Sequence, residues 1–280
     1  MKDPKPLHIL LTNDDGHRAP GIQALHRVLK RTGHRVSMVA PTTEQSATGM
    51  GVTSRRNLAL EQLETDTWHL DGQPVDTVLV ALRHLLEDNP PDLVLSGINF
   101  GPNLGTALHM SGTIGAAIMA TLNGFPSIAI SAGMRFDEID TQFPSTHEVF
   151  EAAAEFTCSV IDSLRSSVSR KGRLLPRDVL LNINYPALPR EQIKGVLHPK
   201  ISAGNMIRVG YHRCTETGNV VPGFYLGVDP EQPHKEAGDV RAHMEGYITI
   251  STIKPRWNPP AKQAKKLEKR LEALTLDFPF

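Results

Sequence analysis

The sequence lacks the features that mark secreted, membrane-bound or disulfide-stabilised proteins. Its two cysteines, Cys158 and Cys214, lie far apart and form neither a Cys-x-x-Cys pair nor a zinc-ligand spacing. No apolar run reaches the roughly 18 residues that a membrane helix needs, and the one near the N-terminus is too short for a signal peptide. We therefore expect free thiols in a reducing compartment, and a soluble cytoplasmic protein without membrane contacts.

An excess of charge of one sign is also missing. The 280 residues include 30 Lys and Arg and 30 Asp and Glu, so the formal net charge is zero. Without a basic excess there is no field that would attract long nucleic acids, and without an acidic excess the composition does not indicate disorder. Partners must therefore be inferred from local sites.

Three common enzyme motifs are absent. The chain contains no G-x-x-x-x-G-K-[ST] sequence and no G-x-S-x-G sequence, and Gly49-Met50-Gly51 lacks the spacing of a dinucleotide-binding turn. These absences argue against a P-loop nucleotide-binding protein, an α/β-hydrolase and a Rossmann dehydrogenase.

What the chain does contain is an alternation of strand and helix patterns. Short apolar runs typical of buried strands occur at residues 8–12, 35–40, 68–70, 92–96, 126–131 and 179–183. Segments with helical periodicity lie between most of them, at residues 22–29, 75–86, 111–122 and 147–164. This alternation predicts an α/β fold with a doubly wound, mostly parallel sheet. In the common strand order 3-2-1-4-5-6, strands one and four are neighbours at the crevice where ligands bind.

The pattern changes after Pro186. We expect residues 1–186 to form the α/β core that carries the site, and residues 187–258 to form a hairpin-rich extension, because residues 223–227 and 246–251 alternate between Gly-containing turns. No internal repeat occurs.

A one-sided helix is predicted near the C-terminus. Leu267, Leu271 and Leu274 recur at spacings of four and three among charged residues. Such a helix needs a surface to pack on, so residues 259–280 are predicted to form a helical arm, and clasping another subunit is one hypothesis.

Polar side chains follow three of the predicted strands. Asp14, Asp15 and Gly16 follow the first strand, Ser46 lies in the loop after the second, and Asn99 follows the fourth. Because parallel strands end at one edge of a sheet, these residues should surround one crevice. Two carboxylates, a hydroxyl and a carboxamide are oxygen donors suited to a hard cation such as Mg²⁺ or Mn²⁺.

Two further segments are typical of phosphate binding. The glycines of residues 96–103 would let backbone N–H groups approach an anion, and Ser111, Gly112 and Thr113 begin the next predicted helix. Each residue also has a structural interpretation: the aspartates and Thr113 as helix caps, and Ser46 and Asn99 as turn residues. Asp76 is most simply a residue of a first helical turn.

Taken together, these motifs resemble the SurE family of metal-dependent survival proteins, which hydrolyse nucleoside monophosphates. The matching segments are TNDDG (12–16), APxxxxSATG (40–49), GxPxD (72–76), SGINxGxN (96–103), HxSGTxGAA (109–117), PSIAIS (126–131) and NINYP (182–186). They span most of the chain. Two departures are Gln73, where the family often has Thr, and residues 251–253, where it often has Thr-Pro-Leu.

The resemblance implies a Rossmann-like fold and one divalent cation per subunit, bound by Asp14, Asp15, Ser46 and Asn99. It also implies hydrolysis of 5′- and 3′-nucleoside monophosphates, a side activity on short polyphosphate, and a homodimer or homotetramer with an exchanged C-terminal segment. In this interpretation Asn103, Ser111, Gly112 and Thr113 hold phosphate oxygens. Asp14 activates water or protonates the leaving group, and Asp15 acts mainly as a ligand.

Two other functions stay open at the level of sequence. A haloacid-dehalogenase-type phosphatase also has an Asp after its first strand, but it uses a D-x-D motif, whereas Asp14 and Asp15 are adjacent. A nucleotide or metal sensor would bind without turnover. The base preference is not readable, although residues 134–146 and 203–214 are candidate contributors to a base pocket.

Overall fold

The computed structural model describes residues 5–167, 172–227, 237–255 and 261–271. Within these ranges the strands are β1 (His8–Thr12), β2 (Arg35–Pro41), β3 (Leu60–Glu64), β4 (Thr67–Leu70), β5 (Leu93–Phe100), β6 (Ser127–Ala132), β7 (Leu180–Tyr185), β8 (Val196–Leu197), β9 (Ile207–Arg213), β10 (Val220–Leu226) and β11 (Ile248–Ile253). The α-helices are α1 (Pro20–Arg31), α2 (Pro74–Val80), α3 (Gly112–Leu122), α4 (Pro144–Ser167), α5 (Gly238–Met244) and α6 (Ala261–Leu271). A π-helical turn, Ala81–Leu85, continues α2.

The central sheet has the predicted strand order. Among the described residues it contains nine strands in the order β3-β4-β2-β1-β5-β6-β7-β11-β8. All neighbours from β4 to β7 are parallel, and this part of the order corresponds to 3-2-1-4-5-6 of the predicted strands. The sequence-based prediction of a doubly wound α/β sheet is therefore confirmed, and β1 and β5 are neighbours at its centre.

Successive side chains of a strand point to opposite faces of the sheet, so a strand that is apolar throughout needs cover on both faces. Helices supply that cover here. Ile9 and Leu11 of β1 belong to a core shared with α1 and α4, whereas Leu10 packs in a second core with α2 and α3. Continuous burial of β1 on both faces explains its uninterrupted apolar sequence. The polar residues that follow it are thereby held at the C-terminal edge.

The first helical turn of α2 confirms the structural interpretation of Asp76. Its carboxylate accepts a hydrogen bond from the backbone N–H of Gln73 at 2.9 Å, and it also accepts one from the N–H of Thr53 at 3.1 Å. Asp76 therefore caps α2 and fixes the preceding loop.

The prediction of a hairpin at residues 246–251 was wrong. Residues 246–251 lead into β11, which joins the main sheet antiparallel to β7 and parallel to β8. The cause is burial on both faces: Ile248 and Ile250 enter the core shared with α4, while Thr249 and Ser251 are also buried. The other expected hairpin does form, since residues 223–227 include the end of β10, which pairs antiparallel with β9 in a separate two-stranded sheet.

The C-terminal helix α6 is exposed along its described length. Leu267 and Leu271 expose 57% and 48% of their surface, and no residue of α6 is buried. Leu274, the third residue of the predicted stripe, lies outside the described residues. None of the helices in the described part of the chain combines the length and apolar character that a membrane crossing requires.

Candidate active site

The turn after β1 is fixed by its own backbone and by the loop after β2. Gly16 adopts a φ of +96°, which most other residues would avoid, and its carbonyl accepts a hydrogen bond from Asn13 Nδ2 at 2.9 Å. The N–H of Gln45 donates to the carbonyl of Asp14 at 2.7 Å. The two loops are thus held together, with Asp14 buried and Asp15 partly accessible between them.

Asp14 lies against the first turn of α3. The hydroxyl of Thr113, which has no exposed surface, donates to Asp14 Oδ1 in a short hydrogen bond. Gly112 permits this approach: a Cβ atom at that position would lie 2.8 Å from the Cβ of Asp14 and 3.0 Å from its Oδ2. The Ser-Gly-Thr sequence therefore brings a helix N-terminus onto the carboxylate.

Asp15 is held from the other side by β5. The backbone N–H of Phe100 donates to Asp15 Oδ2 at 2.9 Å, so the adjacent residue, Asn99, lies beside the aspartate pair. Asn99 Nδ2 donates to the carbonyl of Gly101 at 2.6 Å. Because its nitrogen is bound to the loop, the side-chain oxygen of Asn99 is left as the acceptor for the site.

Ser46 lies in the loop after β2 but contacts a residue that the sequence interpretation missed. Its hydroxyl donates to Glu44 Oε1 at 2.8 Å rather than to either aspartate. The charge of Glu44 contributes to raising the pKa of both Asp14 and Asp15, so this third carboxylate is close to the pair. An acidic residue two positions before Ser46, in a loop at the same sheet edge, was the available signal.

The surroundings of the aspartate pair disfavour the ionised form of both carboxyl groups. Burial, followed by the charge of Asp14, raises the pKa of Asp15 to about 7. Burial also raises the pKa of Asp14, although the hydrogen bonds from the Thr113 hydroxyl and N–H oppose that rise. None of the ion pairs between described residues includes Asp14 or Asp15. Two adjacent carboxylates, one buried and one half-buried, that have no basic partner are suited to binding a cation.

The donor set around that pair is a mixed one. Within the described ranges, no three His, Cys, Asp or Glu side chains are grouped so that they could hold a metal ion. A cation at Asp14 and Asp15 would therefore need neutral oxygens as further ligands. Ser46 and Asn99 carry such oxygens, from loops that are hydrogen-bonded to the turn containing the aspartates.

Asn103 is held by a buried polar network. Its backbone N–H donates to Asn184 Oδ1 at 2.8 Å, and its carbonyl accepts from the side-chain amides of Asn182 and Asn184 at 2.9 and 3.0 Å. Its own Nδ2 donates to Ser131 Oγ at 2.9 Å, which leaves one amide hydrogen and the side-chain oxygen. The two asparagines of β7 were given no role from sequence beyond their place in the NINYP segment, although their i, i+2 spacing in an apolar strand points them to one face.

Ser111 and Thr113 differ in what they contact. Ser111 is the N-cap of α3, and its hydroxyl oxygen accepts from the N–H of Ile114 at 3.1 Å. Thr113 directs its hydroxyl to Asp14. The structure thus brings Asp14, Asp15, Gly112 and Thr113 into one cluster, with Asn99 and the Ser46 loop beside it and Asn103 anchored at the ends of β6 and β7.

Comparison with known proteins identifies the family. The family model described as "Survival protein SurE" matches residues 9–207. The 5′-nucleotidase SurE of Carboxydothermus hydrogenoformans is 42% identical over 76% of this chain and 77% of its own length, and that of Desulfitobacterium hafniense is 34% identical over 98% and 99%. The crystal structure of the SurE protein from Aquifex aeolicus superposes with a TM-score of 0.73 at 32% identity, covering 95% of this chain and 99% of that one. The chain therefore belongs to the SurE family.

Proposed function

We propose that this protein is a metal-dependent phosphatase that hydrolyses nucleoside monophosphates to nucleoside and phosphate. The observation that carries the proposal is the pair of the buried Asp14 and the half-buried Asp15, adjacent at the N-terminus of α3 without a basic partner among the described residues. Such a site attracts a cation to its carboxylates and an anion to the helix N-terminus. A phosphate group together with a divalent cation meets both requirements.

Asp14, Asp15, Ser46 and Asn99 are the proposed ligands of one divalent cation per subunit, Mg²⁺ or Mn²⁺. The residues fit that group because their atoms are all oxygen donors and because the two carboxyl groups resist ionisation on their own. When bound, the cation supplies neutralisation of the negative charge on the phosphoryl oxygens. Glu44 supports the site by holding the hydroxyl hydrogen of Ser46, which leaves the oxygen lone pairs free.

The other residues position phosphate and transfer a proton. The N–H of Gly112 at the start of α3, with the Ser111 hydroxyl and the remaining amide hydrogen of Asn103, binds phosphate oxygens. Thr113 fixes one oxygen of Asp14, so that the other faces the reaction centre. Asp14 lies between Asp15 and the N-terminus of α3, which binds the phosphate in this proposal. The attacking water and the leaving oxygen must both lie next to that phosphate, so Asp14 is the proposed proton-transfer group.

Phosphate release from a panel of 5′- and 3′-nucleoside monophosphates tests this function. We expect release with Mg²⁺ or Mn²⁺, loss of at least 100-fold in excess EDTA, and recovery on adding back metal. Short polyphosphate belongs in the panel as a proposed side substrate. Activity that is indifferent to chelation would contradict the metal site, and a trapped phospho-aspartate would favour the dehalogenase-type mechanism instead.

We also propose a cytoplasmic homodimer or homotetramer in which the C-terminal segment is exchanged. Support comes from the exposed Leu267 and Leu271 of α6, which leave an apolar stripe uncovered. Light scattering of a chain lacking residues 259–280 should give a lower mass than the full chain. A Leu267→Ala, Leu271→Ala variant should shift the mass in the same direction, and an unchanged mass in both would contradict the exchange.

A further inference from the structure

A cavity of about 420 Å³ lies at the same sheet edge as the aspartate pair, beyond the ends of β6 and β7. Its volume falls within the range of about 300–1,000 Å³ that is usual for small-molecule sites. Eight of its ten lining residues are apolar or neutral aromatic, among them Met134, Phe136, Met206, His243 and Met244, and the other two are Arg135 and Asp137. Nothing in the proposed phosphate chemistry uses this cavity.

The cavity adjoins the proposed cation site through the loop after β5. Met134 lines the cavity, and a Cβ atom on Gly101 would lie only 2.9 Å from its sulfur atom. The carbonyl of the same Gly101 accepts the hydrogen bond from Asn99. Strand β6 lies two positions from β1 in the sheet, which corresponds to about 10 Å. A ligand with its phosphate at α3 could therefore extend its far end into the cavity.

Arg135, the cation in the cavity lining, is already paired with carboxylates. Arg135 donates two hydrogen bonds to Asp137, at 3.2 and 2.7 Å, and its guanidinium lies 3.5 Å from Glu138. A phosphate in this cavity would find no unpaired cation among these groups. The lining therefore selects an uncharged group.

His243 supplies an unfilled hydrogen-bonding position in this apolar surrounding. It is 5% exposed, lines the cavity, and its Nδ1 atom is buried with no hydrogen-bond partner among the described residues. Burial lowers the pKa of His243 to about 4, so the ring is neutral at physiological pH and offers one N–H donor and one bare nitrogen.

We propose that this cavity binds the heteroaromatic base of the nucleotide, with the methionines and Phe136 against the faces of the ring and His243 hydrogen-bonded to its edge. A base combines flat apolar faces, which pack well on thioether and aromatic groups, with a polar edge. A ribose would present several hydroxyl groups to a lining whose two charged side chains, Arg135 and Asp137, are already hydrogen-bonded to each other. This inference rests on the proposed phosphatase function and names the part of the substrate that the cation site does not recognise.

The test compares adenosine 5′-monophosphate with ribose 5-phosphate, which has the same phosphate and sugar but no base. With metal present, the wild-type protein should show a kcat/KM for the nucleotide about 100-fold or more above that for ribose 5-phosphate. His243→Ala and Met134→Ala should each lower that ratio by about 10-fold or more, mainly through the nucleotide. Met119→Ala is the control and should leave the ratio unchanged, because Met119 is a half-buried methionine that packs against the core formed by Leu10, α2 and α3.

The outcomes separate this inference from the function on which it rests. Cleavage of both substrates at equal kcat/KM by the wild type would overturn the base site and leave the phosphatase intact, whereas cleavage of neither would overturn the phosphatase as well. Equal losses on both substrates in the variants would also overturn the base site, since the residues would then act through the fold. If His243→Ala does not fold, Met134→Ala decides, because that side chain is only half-buried.

Discussion

The two halves of the C-terminal sheet edge use opposite ways of holding polar atoms. Beyond β1 and β5, the buried Asp14 and the half-buried Asp15 have raised pKa values and no basic partner in the described chain. On β6 and β7, Ser131, Asn182 and Asn184 bury neutral groups in a network that closes around Asn103. The first half has carboxyl groups without a compensating charge, whereas the second is nearly satisfied as folded. We infer that the first half carries the chemistry and the second carries the positioning.

Removing charge from the first half should have the largest effect. Asp14→Asn and Asp15→Asn should each lower kcat by about 1,000-fold or more, because they remove both a proposed ligand charge and, for Asp14, the proton-transfer group. Asp71→Asn is the matched control, since Asp71 is an exposed carboxylate paired with Arg56. Steady-state phosphate release at saturating metal measures the effect. A loss of less than 10-fold in both aspartate variants would break the comparison.

A smaller loss is expected from the support of Asp14. Thr113→Val keeps the shape of the side chain but removes the hydroxyl that binds Asp14 Oδ1, and we expect kcat to fall by about 10- to 100-fold. Thr121→Val is the control on the same helix: Thr121 is also buried, and its hydroxyl is hydrogen-bonded to Ser127.

Both threonine variants should lose about 1–2 kcal/mol of stability, because each leaves a buried polar group without its partner. Only Thr113→Val should lower kcat. Equal kinetic effects in the two variants would show that Thr113 acts through helix stability alone.

The neutral half should respond in stability more than in rate. Asn184→Ala removes two hydrogen bonds to the backbone of Asn103, whereas Asn182→Ala removes one and also deletes an unpaired oxygen. We therefore expect Asn184→Ala to destabilise the fold by about 2–4 kcal/mol and to lower kcat/KM by about 10-fold, and Asn182→Ala to cost roughly half as much free energy. Urea unfolding and steady-state kinetics measure both quantities. A larger cost for Asn182→Ala would contradict the proposed network.

The sequence predicted the charged half better than the neutral half. Asp14 and Asp15 interrupt an apolar run at a strand end, which is a local signal, and the alternation of elements was enough to predict β1 and β5 as neighbours. The role of Thr113 was not readable, because its partner is 99 residues away in sequence and a helix-start hydroxyl looks the same whether it binds a phosphate or a carboxylate.

In the C-terminal part of the chain, too, contacts between residues distant in sequence could not be predicted from local patterns. Residues 246–251 alternate as a hairpin strand would, and only the burial of both faces reveals a strand of the main sheet. His243 lies in a short helix without a motif, so nothing local indicated that it lines a cavity. Local patterns therefore predicted the elements, while long-range packing determined which atoms meet.

The pH dependence of stability distinguishes the two halves without any assay of activity. In EDTA, the pKa of Asp15 is about 7 in the folded state against 3.8 for an unperturbed side chain, so the folded state binds more protons between pH 4 and 7. Its contribution to stability is present below pH 4 and is lost as the pH rises through 7. Buried histidines such as His8, His17 and His243 have lowered pKa values and act in the opposite direction, so only a difference between variants is informative.

Asp15→Asn removes the titrating group and supplies that difference. Above pH 7 in EDTA the variant should be more stable than wild type, by an amount on the order of 2–4 kcal/mol, and near pH 4 the two should be nearly equal. Saturating Mg²⁺ or Mn²⁺ should reverse the order above pH 7, because a cation stabilises the ionised pair in wild type and has fewer charges to bind in the variant. Thermal unfolding at a series of pH values measures both effects. A stability difference that does not change with pH would mean that Asp15 is ionised in the metal-free fold, and the two halves of the edge would then differ less than their geometry indicates.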